Sequence, residues 1–130
     1  MKSLGFLLAL TMTSLLVGMA ADAPPARGKL VHMVAFKFKD SATREQIKEV
    51  EDAFRALKKK IPQIVSFEWG TNVSPEGFNN GFTHGFVLTF GSEKDRDTYL
   101  AHPDHKAFGG LVGRVLADGG VFVVDFWAKD

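Results

Sequence analysis

The sequence predicts an α+β fold in which two helices cover one face of a four-stranded sheet. The chain has 130 residues, of which 45% are apolar, so it can form one modest domain with its own core. Segments with the alternating apolar pattern of strands flank segments with the three- and four-residue spacing of helices. Their order is strand, helix, strand, strand, helix, strand, and they lie between Leu30 and Trp127.

The first strand and the first helix occupy residues 30 to 61. One face of the strand carries Leu30, His32, Val34, Phe36 and Phe38, and the other carries Val31, Met33 and Ala35. Thr43 and Gln46 have the spacing of a capping box, which marks the start of a helix. The apolar positions of that helix are Ile47, Val50, Phe54, Leu57 and Ile61. Pro62 ends it, because proline cannot continue the helical hydrogen-bonding pattern.

Two further strands follow, separated by a loop. We predict strands at residues 64–69 and 82–90, and a loop at residues 70–81 that is rich in Asn, Gly and Pro. In the second of these strands, His84 shares a face with the apolar residues Phe82, Phe86, Leu88 and Phe90.

The last helix is predicted to be interrupted before a final apolar strand. Ser92 and Asp95 mark a helix start, and the segment runs to Ala101 before His102-Pro103 interrupts it. Helical spacing resumes at Phe108, Leu111, Val112, Val115 and Leu116, and Asp118-Gly119-Gly120 closes the helix. The final strand covers residues 121–127. The resulting β-α-β-β-α-β order is the ferredoxin-like arrangement.

The two faces of the sheet predict a homodimer. Two helices cover one face only, yet the first and last strands carry apolar side chains on both faces. An uncovered apolar sheet would exceed the patch, on the order of a few hundred Å², that monomers normally expose. A two-fold pairing of sheet against sheet buries this surface. The alternative is a monomer whose second face is covered by the segment before Leu30.

The N-terminal segment has the pattern of an export signal. Lys2 precedes an uncharged run at residues 3–21, which is rich in Leu and ends in small residues around Ala20. A basic residue, an apolar stretch and a small-x-small end are typical of a secretory signal peptide. We predict a signal peptide at residues 1–20, a linker at 21–29 and a domain at 30–130, in a secreted or periplasmic protein without a stable membrane span after cleavage. The alternative is that the run is kept as a membrane anchor.

Composition excludes several classes of protein. The chain has no cysteine, which rules out disulfide scaffolds, zinc ribbons and thiol nucleophiles. Its formal net charge is +1, so the basic excess of nucleic-acid-binding proteins is missing and no nucleic acid is expected as a partner. His102, Asp104 and His105 lie together around Pro103, but adjacent residues around a proline rarely converge on one ion. We expect no metal and no cofactor.

Four segments of the chain resemble a known family. They are Val31 to Asp40, Ile61-Pro62 through Trp69-Gly70, Gly81-Phe82-Thr83-His84, and the run Tyr99-Leu100-Ala101-His102-Pro103-Asp104-His105. Together they look like the stress-responsive A/B barrel domain, abbreviated Dabb, over residues 30 to 127. The resemblance implies a dimeric α/β barrel, in agreement with the dimer expected from the strand faces.

The resemblance also implies candidate site residues. One branch of the family is a plant polyketide cyclase that performs an aldol condensation without metal or cofactor, and its catalytic tyrosine and histidine match Tyr99 and His105. Its other pocket histidines match His32 and His84, whereas Phe54 stands where that enzyme has a tyrosine. A neutral imidazole can accept a proton from a carbon next to a carbonyl, while a phenol can donate a hydrogen bond to the oxygen that gains charge.

Two functions follow for this site. The first is an exported binding or stress-related module whose dimer encloses a small apolar ligand. The alternative is a cofactor-independent lyase, cyclase or isomerase that acts on a carbonyl substrate through Tyr99 and His105. For catalysis these two residues should face one closed cavity lined by Phe36, Phe54 and Phe86. The N–H groups at the start of the last helix should help to keep the His105 ring neutral.

Each candidate also has a structural alternative. Tyr99 could bury its ring and leave its hydroxyl in water, and His105 could simply occupy the first turn of the last helix. His32 and His84 each interrupt an apolar strand face, so each is either a pocket histidine or a hydrogen-bonded core histidine.

Overall fold

The structure is a computed structural model, and it describes residues 28–129. The elements in chain order are β1 (Leu30–Phe38), α1 (Arg44–Lys60), β2 (Ser66–Thr71), β3 (His84–Phe90), α2 (Glu93–Ala101), α3 (Pro103–Val112) and β4 (Leu116–Trp127). The predicted signal peptide lies outside the described residues, as does the predicted linker apart from Gly28 and Lys29. No helix in the described range is long and apolar enough to cross a membrane.

The strands form one antiparallel sheet in the order β2-β3-β1-β4. β1 is central, since it pairs with β3 on one side, where Phe36 lies opposite His84, and with β4 on the other, where His32 lies opposite Asp125. β2 and β4 are the edge strands of this sheet. This topology confirms the predicted ferredoxin-like fold.

The hydrophobic core lies between the sheet and the helices. Along β1 alternate residues from Leu30 to Phe36 are buried, as the two-residue period of a strand requires. Phe54 of α1 packs against Phe86 and Phe108, with ring centroids 4.5 Å apart in both pairs. The apolar stripe of α1 therefore covers the same face of the sheet that the period of β1 selects.

Local capping interactions confirm the predicted starts of the first two helices. Thr43 Oγ1 accepts a hydrogen bond from the Gln46 backbone N–H at 3.2 Å, and Gln46 Oε1 accepts one from the Thr43 N–H at 2.9 Å. Ser92 Oγ accepts a hydrogen bond from the Asp95 N–H at 3.0 Å, just before α2. α1 ends shortly before Pro62, as predicted.

The interruption at His102-Pro103 is confirmed, but the next helix starts and ends earlier than predicted. α3 begins at Pro103, and His102 caps it by accepting a backbone N–H on Nδ1 at 3.1 Å. The prediction that this helix extends to Leu116 is wrong. α3 ends at Val112, and Leu116 begins β4 as the partner of Phe38.

The glycines predicted to close that helix instead form an irregularity within β4. The pairing register between β1 and β4 shifts at this point. Gly119 has a φ of 63°, and a Cβ on Gly120 would lie 2.4 Å from the carbonyl oxygen of Lys37. The close approach of two backbones explains why glycine occupies this bulge.

β2 and β3 begin later than predicted, at residues 66 and 84 rather than 64 and 82. Asn80 and Gly81 have positive φ values of 49° and 82°, so the chain is still turning before β3. Phe82 therefore does not share the face of His84. Its ring lies beside Phe122, with centroids 6.4 Å apart, on the opposite side of the sheet.

The face of the sheet that points away from the helices is apolar, and we call it the open face. Its apolar residues are Val31, Met33 and Ala35 of β1, Val87 of β3, and Phe122, Val124 and Phe126 of β4. The three residues from β4 are 47%, 37% and 45% exposed. Large apolar side chains are thus left in contact with water in a single subunit.

Candidate functional site

A cavity of about 310 Å³ lies between the helices and the β1–β4 side of the sheet. Its sheet residues are His32, Val34, Phe36, Val121, Val123 and Asp125, and its helix residues are Phe54, Tyr99, Leu100, His105, Phe108, Gly109 and Val112. Polar side chains in this lining come from His32, Tyr99, His105 and Asp125, and the remainder is apolar. The cavity is therefore a mostly apolar space with a few polar groups.

Tyr99 and His105 lie side by side in this cavity. Tyr99 is near the end of α2 and His105 is in the first turn of α3, so the break at Pro103 brings them together. Their ring centroids are 4.3 Å apart. Tyr99 is 1% exposed, and its hydroxyl has no hydrogen-bond partner within residues 28–129.

The surroundings of the two rings set their protonation states. His105 Nδ1 lies 3.2 Å from the carbonyl oxygen of Leu100, which can only accept, so Nδ1 carries the proton and the lone pair of the neutral ring is on Nε2. Burial lowers the pKa of His105. Burial, reinforced by the charge of Asp125, raises the pKa of the Tyr99 hydroxyl. At neutral pH the cavity thus pairs a neutral imidazole with a protonated phenol.

His32 is held in place by a carboxylate from the neighbouring strand. Its Nδ1 lies 2.6 Å from Asp125 Oδ1, and Asp125 Oδ2 accepts a hydrogen bond from Arg96 Nη1 at 2.8 Å. The hydrogen bond to Asp125, followed by one to Asp97, raises the pKa of Arg96, so the guanidinium stays charged. The His32 ring meets Tyr99 edge-on, with centroids 5.6 Å apart. This network ties β1, β4 and α2 together at the cavity.

His84 lies outside this cavity. Its Nε2 is 2.9 Å from Glu51 Oε1, its Nδ1 is 2.8 Å from Thr83 Oγ1, and its ring stacks on Trp69 at an interplanar angle of 5°. Both ring nitrogens have partners, as expected of a buried histidine, and His84 also borders the larger groove described below.

The phenylalanines named from the sequence are divided between cavity and core. Phe36 and Phe54 line the cavity. Phe86 does not, because β3 lies on the far side of β1 from β4, and its side chain is fully buried in the core.

Comparison with protein families identifies the chain. The family model described as the stress responsive A/B barrel domain matches residues 30–128. The chain belongs to the Dabb family. This Dabb domain is 36% identical over 83 residues to the stress-response A/B barrel domain-containing protein HS1 of Arabidopsis thaliana, covering 64% of this chain and 76% of that protein. It is 33% identical over 78 residues to olivetolic acid cyclase of Cannabis sativa, covering 60% of this chain and 77% of the cyclase.

Solved structures share the fold of this Dabb domain. A crystal structure of an Arabidopsis thaliana protein superimposes with a TM-score of 0.72 at 32% identity, covering 78% of this chain and 96% of that one. A dimeric ferredoxin-like protein of unknown function from Jannaschia sp. gives a TM-score of 0.69 at 26% identity, covering 78% and 100%. The hydroxynitrile lyase of Passiflora edulis shares the fold, with a TM-score of 0.74 at 22% identity, covering 80% and 96%.

Asp125 and Arg96 are the site residues of this Dabb domain that the sequence analysis missed. Asp125 is the one charged residue in the apolar run 121–127, and a carboxylate in such a strand requires a partner when it is buried. That signal was present in the sequence. The identity of the partner depends on the β1–β4 register, which the apolar pattern does not specify.

A larger groove, of about 660 Å³, lies on the open face, away from the cavity that holds Tyr99 and His105. We call it the open-face groove, and its lining includes Ala35, Gly70, Val73, Phe82, Gly85 and Val87. It is shallow and holds neither Tyr99 nor His105. We therefore assign the candidate site to the smaller cavity, where the polar groups converge.

Proposed function

We propose that this Dabb protein is exported, forms a homodimer and binds a small apolar ligand in the cavity lined by Tyr99 and His105. The observation that carries the proposal is the placement of polar side chains in a mostly apolar cavity of about 310 Å³. Pockets for small molecules start at roughly 300 Å³ and have this same composition.

The polar atoms of the cavity favour a ligand that carries a carbonyl group. The Tyr99 hydroxyl, which lacks a partner within residues 28–129, can donate a hydrogen bond to a carbonyl oxygen. His105 Nε2 can accept one from a ligand hydroxyl. Val34, Phe108 and Val123 supply apolar surface for the rest of the molecule.

Mass spectrometry of small molecules retained by the native protein tests ligand binding. We expect the wild-type protein to retain an apolar carbonyl compound and the His105→Ala variant to retain much less of it. Lys106→Ala, one residue further along α3 and exposed, is the matched control and should behave like the wild type. Equal retention by all three proteins would remove His105 from ligand recognition.

The open face supports the homodimer. Phe122, Val124 and Phe126 expose apolar side chains on one contiguous face, which a two-fold contact would bury. A relative of the same fold at 26% identity is described as dimeric. Analytical ultracentrifugation should give the mass of two subunits, and a monomer at every accessible concentration would contradict the proposal.

The sequence pattern at residues 1–20 supports export. The intact mass of the protein recovered from the medium or the periplasm should correspond to a chain that begins at Ala21. A full-length chain recovered from the membrane fraction would instead favour a retained anchor.

The pairing of Tyr99 with His105 favours a second candidate function, cofactor-free proton transfer on a carbonyl compound. His105 Nε2 would take a proton from the carbon next to the carbonyl, the electron pair of that C–H bond would form a C=C bond, and the π electrons of the carbonyl would move to its oxygen, where the Tyr99 hydroxyl donates a hydrogen bond. A lyase, cyclase or isomerase would use the resulting enolate. The 33% identity to a cyclase supports this candidate.

Hydrogen–deuterium exchange separates catalysis from binding. In D₂O, the protein should accelerate exchange of the methyl protons of aryl and alkyl methyl ketones, followed by NMR. His105→Gln and Tyr99→Phe should each lower this acceleration by at least about a hundredfold, whereas Lys106→Ala should not. If the protein binds a ketone but its protons exchange at the uncatalysed rate, catalysis is contradicted and ligand binding remains as the function.

A further inference from the structure

The open-face groove exists because small residues face one another across three strands. Gly70 of β2 is paired with Gly85 of β3, and Gly85 is paired with Ala35 of β1. A Cβ placed on either glycine would meet no atom within 4 Å, so the space above them is open. Val73 and Phe82 of the loop between β2 and β3 form part of its border. The groove is therefore an apolar recess in the middle of an apolar face.

The same row of the sheet ends in a protruding ring. Ala35 is paired on its other side with Phe122 of β4. Phe122 is 47% exposed, so nearly half of a large aromatic side chain faces water. One face of one subunit thus carries both a recess, at β2 and β3, and a ring, at β4.

Consider a two-fold axis that runs parallel to the strands, above the open face and midway between β3 and β1. This axis brings the ring of one subunit to the recess of the other. Such an axis reverses the order of the strands and keeps each row of residues at its own height along them. The partner's Phe122 then comes over Gly70 and Gly85, while Phe122 enters the partner's recess in return. A two-fold contact requires a self-complementary patch, and this face is one.

We propose that the open-face groove is the socket for Phe122 of a second copy of this chain. The inference rests on the homodimer proposed above and specifies its packing. Glu68 borders the groove on the edge strand β2, where its carboxylate can stay in water at the rim of the contact. Glycine normally weakens a strand, and the presence of Gly70 and Gly85 here is explained if they leave space for the partner's Phe122 ring.

Cysteine cross-linking tests the placement of the ring directly. The chain has no cysteine, so the full chain carrying Gly70→Cys and Phe122→Cys has only the introduced pair. Within one subunit these positions are three strand spacings apart, roughly 14 Å, beyond the reach of about 7 Å between the Cα atoms of a disulfide. We expect oxidation to give a covalent dimer on a non-reducing gel. Val65→Cys with Phe122→Cys, at an exposed site before β2, is the control and should stay monomeric on the gel.

Repacking provides a second test that does not depend on oxidation. A single subunit has room for the side chain of Gly85→Val, which would occupy the recess. The partner's ring would then be overpacked at both symmetric contacts, so the dimer should weaken at least about tenfold. Phe122→Ala in the same chain removes the ring that would clash with the new valine of the partner. The double variant should therefore associate more tightly than the sum of the two single effects predicts. Circular dichroism of each variant verifies that the subunit is folded.

The outcomes separate this inference from the homodimer itself. If the wild type is dimeric but the Gly70→Cys, Phe122→Cys chain does not cross-link, or if Gly85→Val leaves the dimer unchanged, the socket is overturned and the homodimer still stands. Additive effects of Gly85→Val and Phe122→Ala would also overturn the socket. A wild type that sediments as a monomer would overturn both proposals.

Discussion

Burial is the main cause of the lowered pKa of His105, which lies in the first turn of α3. The sequence predicts a neutral ring from the exposed N–H groups of the helix terminus. In the structure, the main cause of the lowered pKa is burial, and the hydrogen bond to the Leu100 carbonyl opposes it. The prediction of a neutral ring therefore agrees with the direction of the pKa shift, and burial supplies a cause that the sequence analysis did not name.

NMR titration of the His105 ring tests whether its pKa is lowered. We expect a midpoint below about 6.5, the ordinary value for histidine. The unfolded chain then binds more protons than the folded one between the two pKa values, so this residue makes the free energy of unfolding rise with pH across that window. His105→Gln should remove its share of the rise. A midpoint at or above the ordinary value would contradict the role of burial.

Asp125 is expected to contribute to stability through the two groups that it joins. Asp125→Ala leaves His32 Nδ1 without its partner and leaves Arg96 bonded to Asp97 alone, so we expect a loss of about 1–3 kcal/mol in the free energy of unfolding. Asp52→Ala is the matched control, because Asp52 bonds Lys48 and Arg55 only at the surface. Chemical denaturation measures both variants. A loss no larger than that of the control would mean that the network at the cavity adds little.

Residues with a local signature were predictable, and residues whose partners are distant were not. Thr43 and Gln46 satisfy each other within one turn, so their spacing was sufficient. His84 is bonded to Glu51, 33 residues away, and only the packing of α1 on the sheet shows that it belongs to the core. Tyr99 and His105 lie on two helices whose relative direction is set at Pro103, so their contact required the structure.

At the scale of elements, α3 offers a test of where the ligand lies. Gly109 lines the cavity and its neighbour Gly110 does not, while a Cβ on either would meet no atom within 4 Å. Alanine at each position should stabilise the helix by about 0.5–1 kcal/mol. Gly109→Ala also adds a methyl group to the cavity wall and should reduce ligand retention, measured by native mass spectrometry. Equal retention by the two variants would place the ligand elsewhere.

The boundary between α3 and β4 shows what periodicity leaves undecided. Val115 and Leu116 continue the helical spacing of α3, yet Val115 bonds back to Val112 in a turn and Leu116 pairs with Phe38. Two adjacent apolar residues suit a helix face or a buried strand equally well. In the structure this segment pairs with β1, and the backbone at Gly120 passes close to the Lys37 carbonyl, which lies more than 80 residues earlier in the chain.

At the scale of the whole molecule, association and folding should be linked. If the open face is buried in a dimer, dilution of the protein lowers its thermal unfolding midpoint by a few degrees, because the folded state then depends on mass action. Val124→Lys places a charge on that face and should abolish the concentration dependence. Calorimetry at several protein concentrations measures this. A wild-type midpoint that is independent of concentration would argue against the dimer.

The overall fold was predictable because the two faces of β1 and the stripe of α1 point to the same core. Pairing partners and registers were not, since one face of each strand suits any apolar neighbour. The same ambiguity applies to the open face. Its apolar pattern predicts that a partner covers it but does not specify how that partner packs.

β4 is a long edge strand with exposed apolar side chains on both of its faces, including Val121 and Val123 on one and Phe122 on the other. Such an edge is a template for uncontrolled strand addition and aggregation. The bulge at Gly119 and Gly120 twists part of it and limits the length that a foreign strand can match. Pairing of newly folded subunits through the open face would bury Phe122 and so reduce this hazard.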